Sequence, residues 1–187
     1  LAALYDNYEW LQRLGALTVN LIGDEDLLEP VMAIYFDPTT TLRINFHLRE
    51  VFEQVPYAVF EAAAMAYRAK NPLWPTEETF RALLKSLQYT QQSLEENLAT
   101  LAKEDVTDKE LRWAVSTQRN KQNAQMVDAL LTFLRDTSRK PEQRVTTAET
   151  LGWYMYSFRK PDIVAACREI YATEQDPAVK NELAKTL

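Results

Sequence analysis

A chain of 187 residues, 47% apolar and 26% charged, holds one large domain or two small ones. Its size allows burial of roughly 70% of the extended surface. One cysteine (Cys167), one histidine (His47) and three glycines exclude an internal disulfide framework, paired-histidine or multi-cysteine metal sites and Gly-rich phosphate loops. The net charge of −6 is uneven: residues 1–105 carry 8 Lys+Arg against 16 Asp+Glu, and residues 106–187 carry 13 against 11. An acidic front half argues against nucleic acid as the main partner, since phosphate binding draws on clustered Lys and Arg. No apolar run reaches the ~18 residues of a membrane span. The chain starts at Leu1, which points to a processed product or an excised fragment.

Long Leu, Ala, Glu, Lys and Gln stretches predict helix almost throughout. In chain order, helices are expected over Leu1–Ile22, Asp26–Phe36, Thr41–Val55 and Pro56–Ala69. Asp24-Glu25-Asp26 lacks the alternating ligands and glycine of a calcium loop and reads as an acidic helix start. His47, inside the third of these helices, reads as a partly buried, hydrogen-bonded structural residue. Asn71-Pro72-Leu73-Trp74-Pro75 is a breaker. From Thr76 to Ala102 there is neither Gly nor Pro, and Phe80, Leu84, Leu87, Gln91, Leu94, Leu98 and Leu101 keep a 4-3 spacing. This predicts one long helix with a coiled-coil-like seam, in which Gln91 either sets register or lines a pocket. Glu95-Glu96 reads as an exposed helical pair.

Asp108 is the expected N-cap of a helix to about Thr117, with Leu111, Ala114 and Val115 inward. Arg119 to Asn123 is a polar turn. Met126, Val127, Leu130, Leu131 and Leu134 form the apolar stripe of the next helix. Thr137 to Lys140 is a loop, and Arg135, Arg139, Lys140 and Arg144 read as solvated loop and helix-end charge. Pro141 occupies a first helical position, where its missing N–H costs nothing, and that helix runs to about Phe158. Pro161 starts another, with Ile163, Val164, Cys167 and Ile170 on one face, and Asp176-Pro177 opens the last. Trp153, Tyr154, Met155, Tyr156 and Phe158 crowd one helix end with more apolar bulk than a single buried stripe holds. Some of these side chains are expected to face a neighbouring helix on the other side, or a ligand, with core packing the favoured place for the cluster.

The last segments repeat. Pro141, Arg144, Ala148 and Leu151 are echoed 36 residues later by Pro177, Lys180, Ala184 and Leu187. Met126, Val127 and Leu130 fall 37 residues before Ile163, Val164 and Cys167, so Cys167 stands where the neighbouring copy has Leu130, a structural place rather than that of a reactive thiol. Such periods mark helical hairpins that stack. Asp176-Pro177 with Val179-Lys180, the run Thr150-Leu151-Gly152 and helix pairs of this length resemble HEAT-type repeats over roughly residues 105–187, with a possible earlier start near residue 26. The resemblance implies an all-α fold: antiparallel helix pairs stacked as a short α-α superhelix, with residues 1–103 as an N-terminal helical region and 104–187 as the repeats, the two expected to form one continuous domain. Leu111, Val115, Leu130, Leu134, Leu151, Ile163, Val164, Cys167, Ile170 and Leu183 are the expected inward positions.

A HEAT-like stack implies a protein-interaction or scaffold module, and one His, one Cys and three glycines leave most reaction classes without their parts, so no catalysis, metal or cofactor is expected. The alternative is a helical accessory domain of a larger enzyme, such as a peptidase, whose catalytic part lies outside this chain. A glycosylase on a HEAT-like fold is disfavoured by the negative charge. The resemblance places contacts on the second helix of each pair, where Gln125, Asp128, Thr132, Asp162, Arg168 and Glu169 fall outside the apolar stripes. With Gln92, Glu95 and Glu96 added, the strip is mainly acidic and suits a basic or amide-rich protein or peptide partner.

Overall fold

The computed structural model describes residues 4, 14–16, 18–19, 25–118, 123–154 and 159–187. Among these every regular element is helical, with no strand, and the helices pack on one another. They divide into two compact units, residues 1–92 and 93–187, each with its own apolar cluster.

In the first unit a 3-10 turn, Glu25–Leu27, leads into α1 (Leu28–Tyr35). Helix α1 packs against both α2 (Leu42–Glu53) and α3 (Tyr57–Lys70). Thr41 caps α2, its hydroxyl accepting from the Ile44 amide at 3.4 Å, so the helix starts after the Asp37-Pro38 turn. Ile44, Leu48, Val51 and Phe52 then recur at helical spacing and are buried, as are Phe60, Ala64 and Tyr67 of α3. Phe36 stacks on Tyr67 at 5.8 Å between ring centroids, and Phe52 meets Phe60 at 5.0 Å. The expected helix Leu1–Ile22 lies mostly outside the described residues, although Leu4, Ala16 and Val19 are buried in this core.

Helix α4 (Glu77–Ala102) is the single long helix that the sequence predicts, its start held by the Thr76 hydroxyl on the Thr79 amide. Phe80, Leu83 and Leu87 belong to the first core, and Leu94 and Leu101 to the second. Its buried stripe differs from the expected one. Phe80, Leu87, Leu94 and Leu101 are buried as anticipated, but Leu83, Thr90 and Asn97 fill the places between them, while Leu84, Gln91 and Leu98 are half-buried. The two candidate stripes share every seventh residue and differ by about 100° of rotation at the intervening ones. Tertiary partners decide between them: Asn97, 5% exposed, donates from Nδ2 to Thr117 Oγ1 at 2.8 Å, so its burial leaves no orphan donor on that contact.

The second unit continues with α5 (Asp108–Gln118), α6 (Ala124–Arg135), α7 (Pro141–Trp153), α8 (Lys160–Thr173) and α9 (Pro177–Thr186). The N-cap of α5 is Thr107 rather than Asp108. Thr107 Oγ1 accepts from the Glu110 amide, and Glu110 Oε2 accepts from the Thr107 amide at 2.9 Å, a reciprocal capping box. Asp108 instead accepts from Gln143 Nε2 at 2.9 Å, and the same nitrogen reaches the Val106 carbonyl at 2.8 Å. Asp176 does cap α9, accepting from the Ala178 and Val179 amides. Helix α5 lies against α7 and α7 most extensively against α9, while α6 lies against α8. Helices α5, α7 and α9 therefore form one layer and α6 and α8 a second. Of the ten expected inward positions nine are buried; Val164 is half-buried because Ala166 and Cys167 carry the stripe of α8 instead.

Arg135 and Lys140 of the basic cluster are exposed as expected, whereas Arg139 and Arg144 depart from the solvated reading. Arg144 is 4% exposed and pairs with Glu174, also 4% exposed, through both guanidinium ends. Its Nε donates to the Leu134 carbonyl at 3.0 Å, and Glu174 Oε1 accepts from the amides of Gln175 and Asp176. Burial pushes the Glu174 carboxyl up, but Arg144 and the two loop amides outweigh it and hold the group below the ordinary carboxylate value. Arg139 lies with its guanidinium 4.6 Å from the Phe133 ring centroid and donates to the carbonyls of Lys103 and Glu104. A buried guanidinium needs partners from distant elements, and local sequence does not show them.

Candidate functional site

The second-layer helices α6 and α8 carry the six predicted contact residues. Asn123 starts α6, its side chain accepting from the Gln125 amide at 2.8 Å. Met126, Val127, Leu130, Leu131, Phe133 and Leu134 turn inward. That leaves Gln125, Asp128 and Thr132 exposed, and on α8 burial of Ile163, Ala166, Cys167 and Ile170 leaves Asp162, Arg168 and Glu169 exposed.

These residues are held in register by ion pairs that the sequence reading did not foresee. Arg159, just ahead of α8, donates from Nε to Asp162 at 2.7 Å and from Nη2 to Asp128 at 2.8 Å. One guanidinium thus ties α6 to α8, and the hydrogen bonds it donates to Asp128 and Asp162 hold it charged more firmly than usual. Further along the same helix pair, Arg135 lies 3.7 Å from Glu169. Thr132 Oγ1 returns to the Asp128 carbonyl at 2.9 Å. Three carboxylates (Asp128, Asp162, Glu169) are therefore matched by three guanidinium groups (Arg135, Arg159, Arg168), and the strip on α6 and α8 is charge-balanced rather than acidic. Arg168 alone among these six charges has no partner within the described residues. Of the α4 residues considered with the strip, Gln92, Glu95 and Glu96 are exposed.

The other singled-out residues separate into structural and surface roles. His47 is half-buried with Nδ1 3.3 Å from Glu50 Oε2, the hydrogen-bonded structural place expected for it. Cys167 is fully buried and burial pushes its thiol up to about 11, so it is protonated at neutral pH and a poor nucleophile. Gln91 lines a hollow of about 10 Å³ with Phe52, Phe60 and Leu87, space on the order of one water molecule. Glu25 and Asp26 lie in the turn before α1, and no group of three or more metal-ligating side chains occurs among the described residues. No helix among them is long and apolar enough to cross a membrane.

The aromatic cluster at the end of α7 divides between core and surface. Tyr154 is fully buried, and that burial raises its phenol. Trp74 is partly exposed, its indole N–H donating to the Phe36 carbonyl. Trp113 is 70% exposed and Trp153 53% exposed, so neither is a core residue. Trp10 and Met155–Phe158 lie outside the described residues. A signal for Trp113 was present: Leu111, Ala114 and Val115 already complete the inward stripe of α5, and Trp113 falls outside it.

No protein-family model matches the chain, and no curated protein matches its sequence.

Proposed function

We propose that the chain is a non-catalytic protein-interaction module built from HEAT-like helical repeats, with its contact surface on the second-layer helices α6 and α8. The observation that supports this reading is the cross-bracing of that surface. Arg159 holds Asp128 and Asp162 by hydrogen bonds, and Arg135 lies beside Glu169, so the two aspartates are held in place before a partner arrives. Preorganised side chains lose less entropy on binding. Charge balance shifts the expected partner from a basic segment to a protein or peptide with mixed polar groups, in which a carboxylate meets Arg168 and a backbone or side-chain amide meets Gln125.

The test uses the two strip residues whose change leaves the braces intact. A partner recovered by affinity capture should lose at least about tenfold in affinity on combining Gln125→Lys with Arg168→Glu. It should be retained on combining Glu142→Lys with Glu149→Lys on the exposed face of α7. Equal affinity for both double variants rejects the α6–α8 surface.

A further inference from the structure

We infer that the outer face of α5 around Trp113 docks an acidic protein segment carrying a large apolar side chain. The face forms a shallow hollow of about 840 Å³ lined by Asp108, Lys109, Glu110, Arg112, Trp113 and Ser116. Helical spacing sets Lys109, Trp113 and Ser116 along one line, with Arg112 beside them. The Trp113 ring is 70% exposed there, an apolar surface that water solvates poorly and that an aliphatic or aromatic side chain would cover.

Charge selects the occupant. The hollow holds two carboxylates and two cations, but they are not equally available. Asp108 accepts from Gln143 Nε2, and Glu110 accepts from Lys103 Nζ and from the amide and hydroxyl of Thr107. Those bonds, the Lys103 one foremost, hold the Glu110 carboxyl down to about 2. Lys109 and Arg112 have no such partner among the described residues. The groups left to meet a ligand are thus two cations flanking an indole, which fits carboxylates placed beside an apolar anchor. A single-stranded nucleic acid could also stack on Trp113 and pair with cations. Two cations make a short phosphate track, however, too few to follow the successive phosphates of a strand. This face is on α5, so its failure is distinguishable from failure of the α6–α8 surface.

The probes are two fluorescein-labelled peptides of about eight residues, each with one Leu and one Phe, flanked in one by Glu and in the other by Lys. They are titrated into the whole chain at low salt and read by anisotropy. The Glu peptide should bind saturably. Its affinity should fall about tenfold or more with Trp113→Ala, and likewise with Lys109→Glu combined with Arg112→Glu. Far-UV circular dichroism should be unchanged in both variants, since all three side chains face solvent. The Lys peptide should not saturate, and an oligothymidylate of about twelve nucleotides should not displace the Glu peptide. The inference is overturned if the Glu peptide fails to saturate or binds both variants equally. It is equally overturned if the Lys peptide matches it or the oligonucleotide displaces it.

Discussion

Helices α7 and α9 share Pro, a basic residue, Ala and Leu at the same four positions, yet they use them differently. In α7 the basic residue is Arg144, buried against Glu174; in α9 it is Lys180, half-buried with its ammonium 4.9 Å from the Tyr171 ring centroid. Ala148 and Leu151 are 1% exposed, whereas Ala184 is exposed and Leu187 is 44% exposed. The inner positions differ in the opposite sense. Gln143 and Thr147 are buried polar residues with hydrogen bonds, while their counterparts Val179 and Leu183 are plain apolar residues. A repeated pattern therefore specifies the helix and its register, and the neighbouring elements specify how deep each position lies. Where α7 is enclosed on most sides it carries polar groups with made-to-measure partners, and where α9 is enclosed on one side, Val179 and Leu183 suffice.

The sharpest way to break this comparison is at the basic residue. Glu174→Ala should cost about 3–5 kcal/mol, because it leaves the buried Arg144 charge without its partner. Lys180→Ala should cost under about 1 kcal/mol, the worth of an accessible cation–ring contact. Urea denaturation of both variants measures the difference, and equal costs would mean that Arg144 is not enclosed as described. The acid dependence follows from the same pair. The native pKa of Glu174 lies below its ordinary value of 4.5, so its contribution is complete above that value and is lost as pH falls through the lower native one. Between those two pH values wild type should lose stability more steeply than Glu174→Gln.

Leucine at the fourth position gives the next contrast. Leu151→Ala should destabilise by about 2–5 kcal/mol and Leu187→Ala by less than about 0.5 kcal/mol. A large loss at Leu187 would show that this side chain is covered in solution. The smallest effect concerns added volume: Ala148→Leu should cost about 1–3 kcal/mol through overpacking, and Ala184→Leu should stay within about 0.5 kcal/mol of wild type. Thermal unfolding of the two variants side by side reads this directly.

Much of the fold was legible because local spacing carries it. The unbroken run from Thr76 to Ala102, the Asp176-Pro177 cap and the apolar stripe of α6 all return as elements with nearly the expected limits. The failures share a cause. The choice between Leu83 and Leu84, or between Asn97 and Leu98, depends on which side of α4 is covered, and Thr117 lies 20 residues beyond Asn97. The cap at Thr107 was misplaced by one residue because Asp108 also suits the role, until Gln143 from 35 residues away claims it. The candidate strip was legible as exposed positions but not in its electrostatics. Arg159 sits 31 residues from Asp128, and no helical periodicity connects them.

The buried Arg144 also bears on how the second unit unfolds. Its guanidinium reaches back 10 residues to the last turn of α6 and forward 30 residues to the loop between α8 and α9. In a stack whose units meet only their neighbours, the terminal hairpin can fray with little effect on the rest. Here, detaching α8 and α9 strips Glu174 from a charge that is inside the unit, and freeing that charge undoes the end of α6 as well. Amide exchange in α6, α7 and α8 should therefore share one opening free energy, so that the Arg144 pair makes a chain of hairpins behave as a single cooperative block.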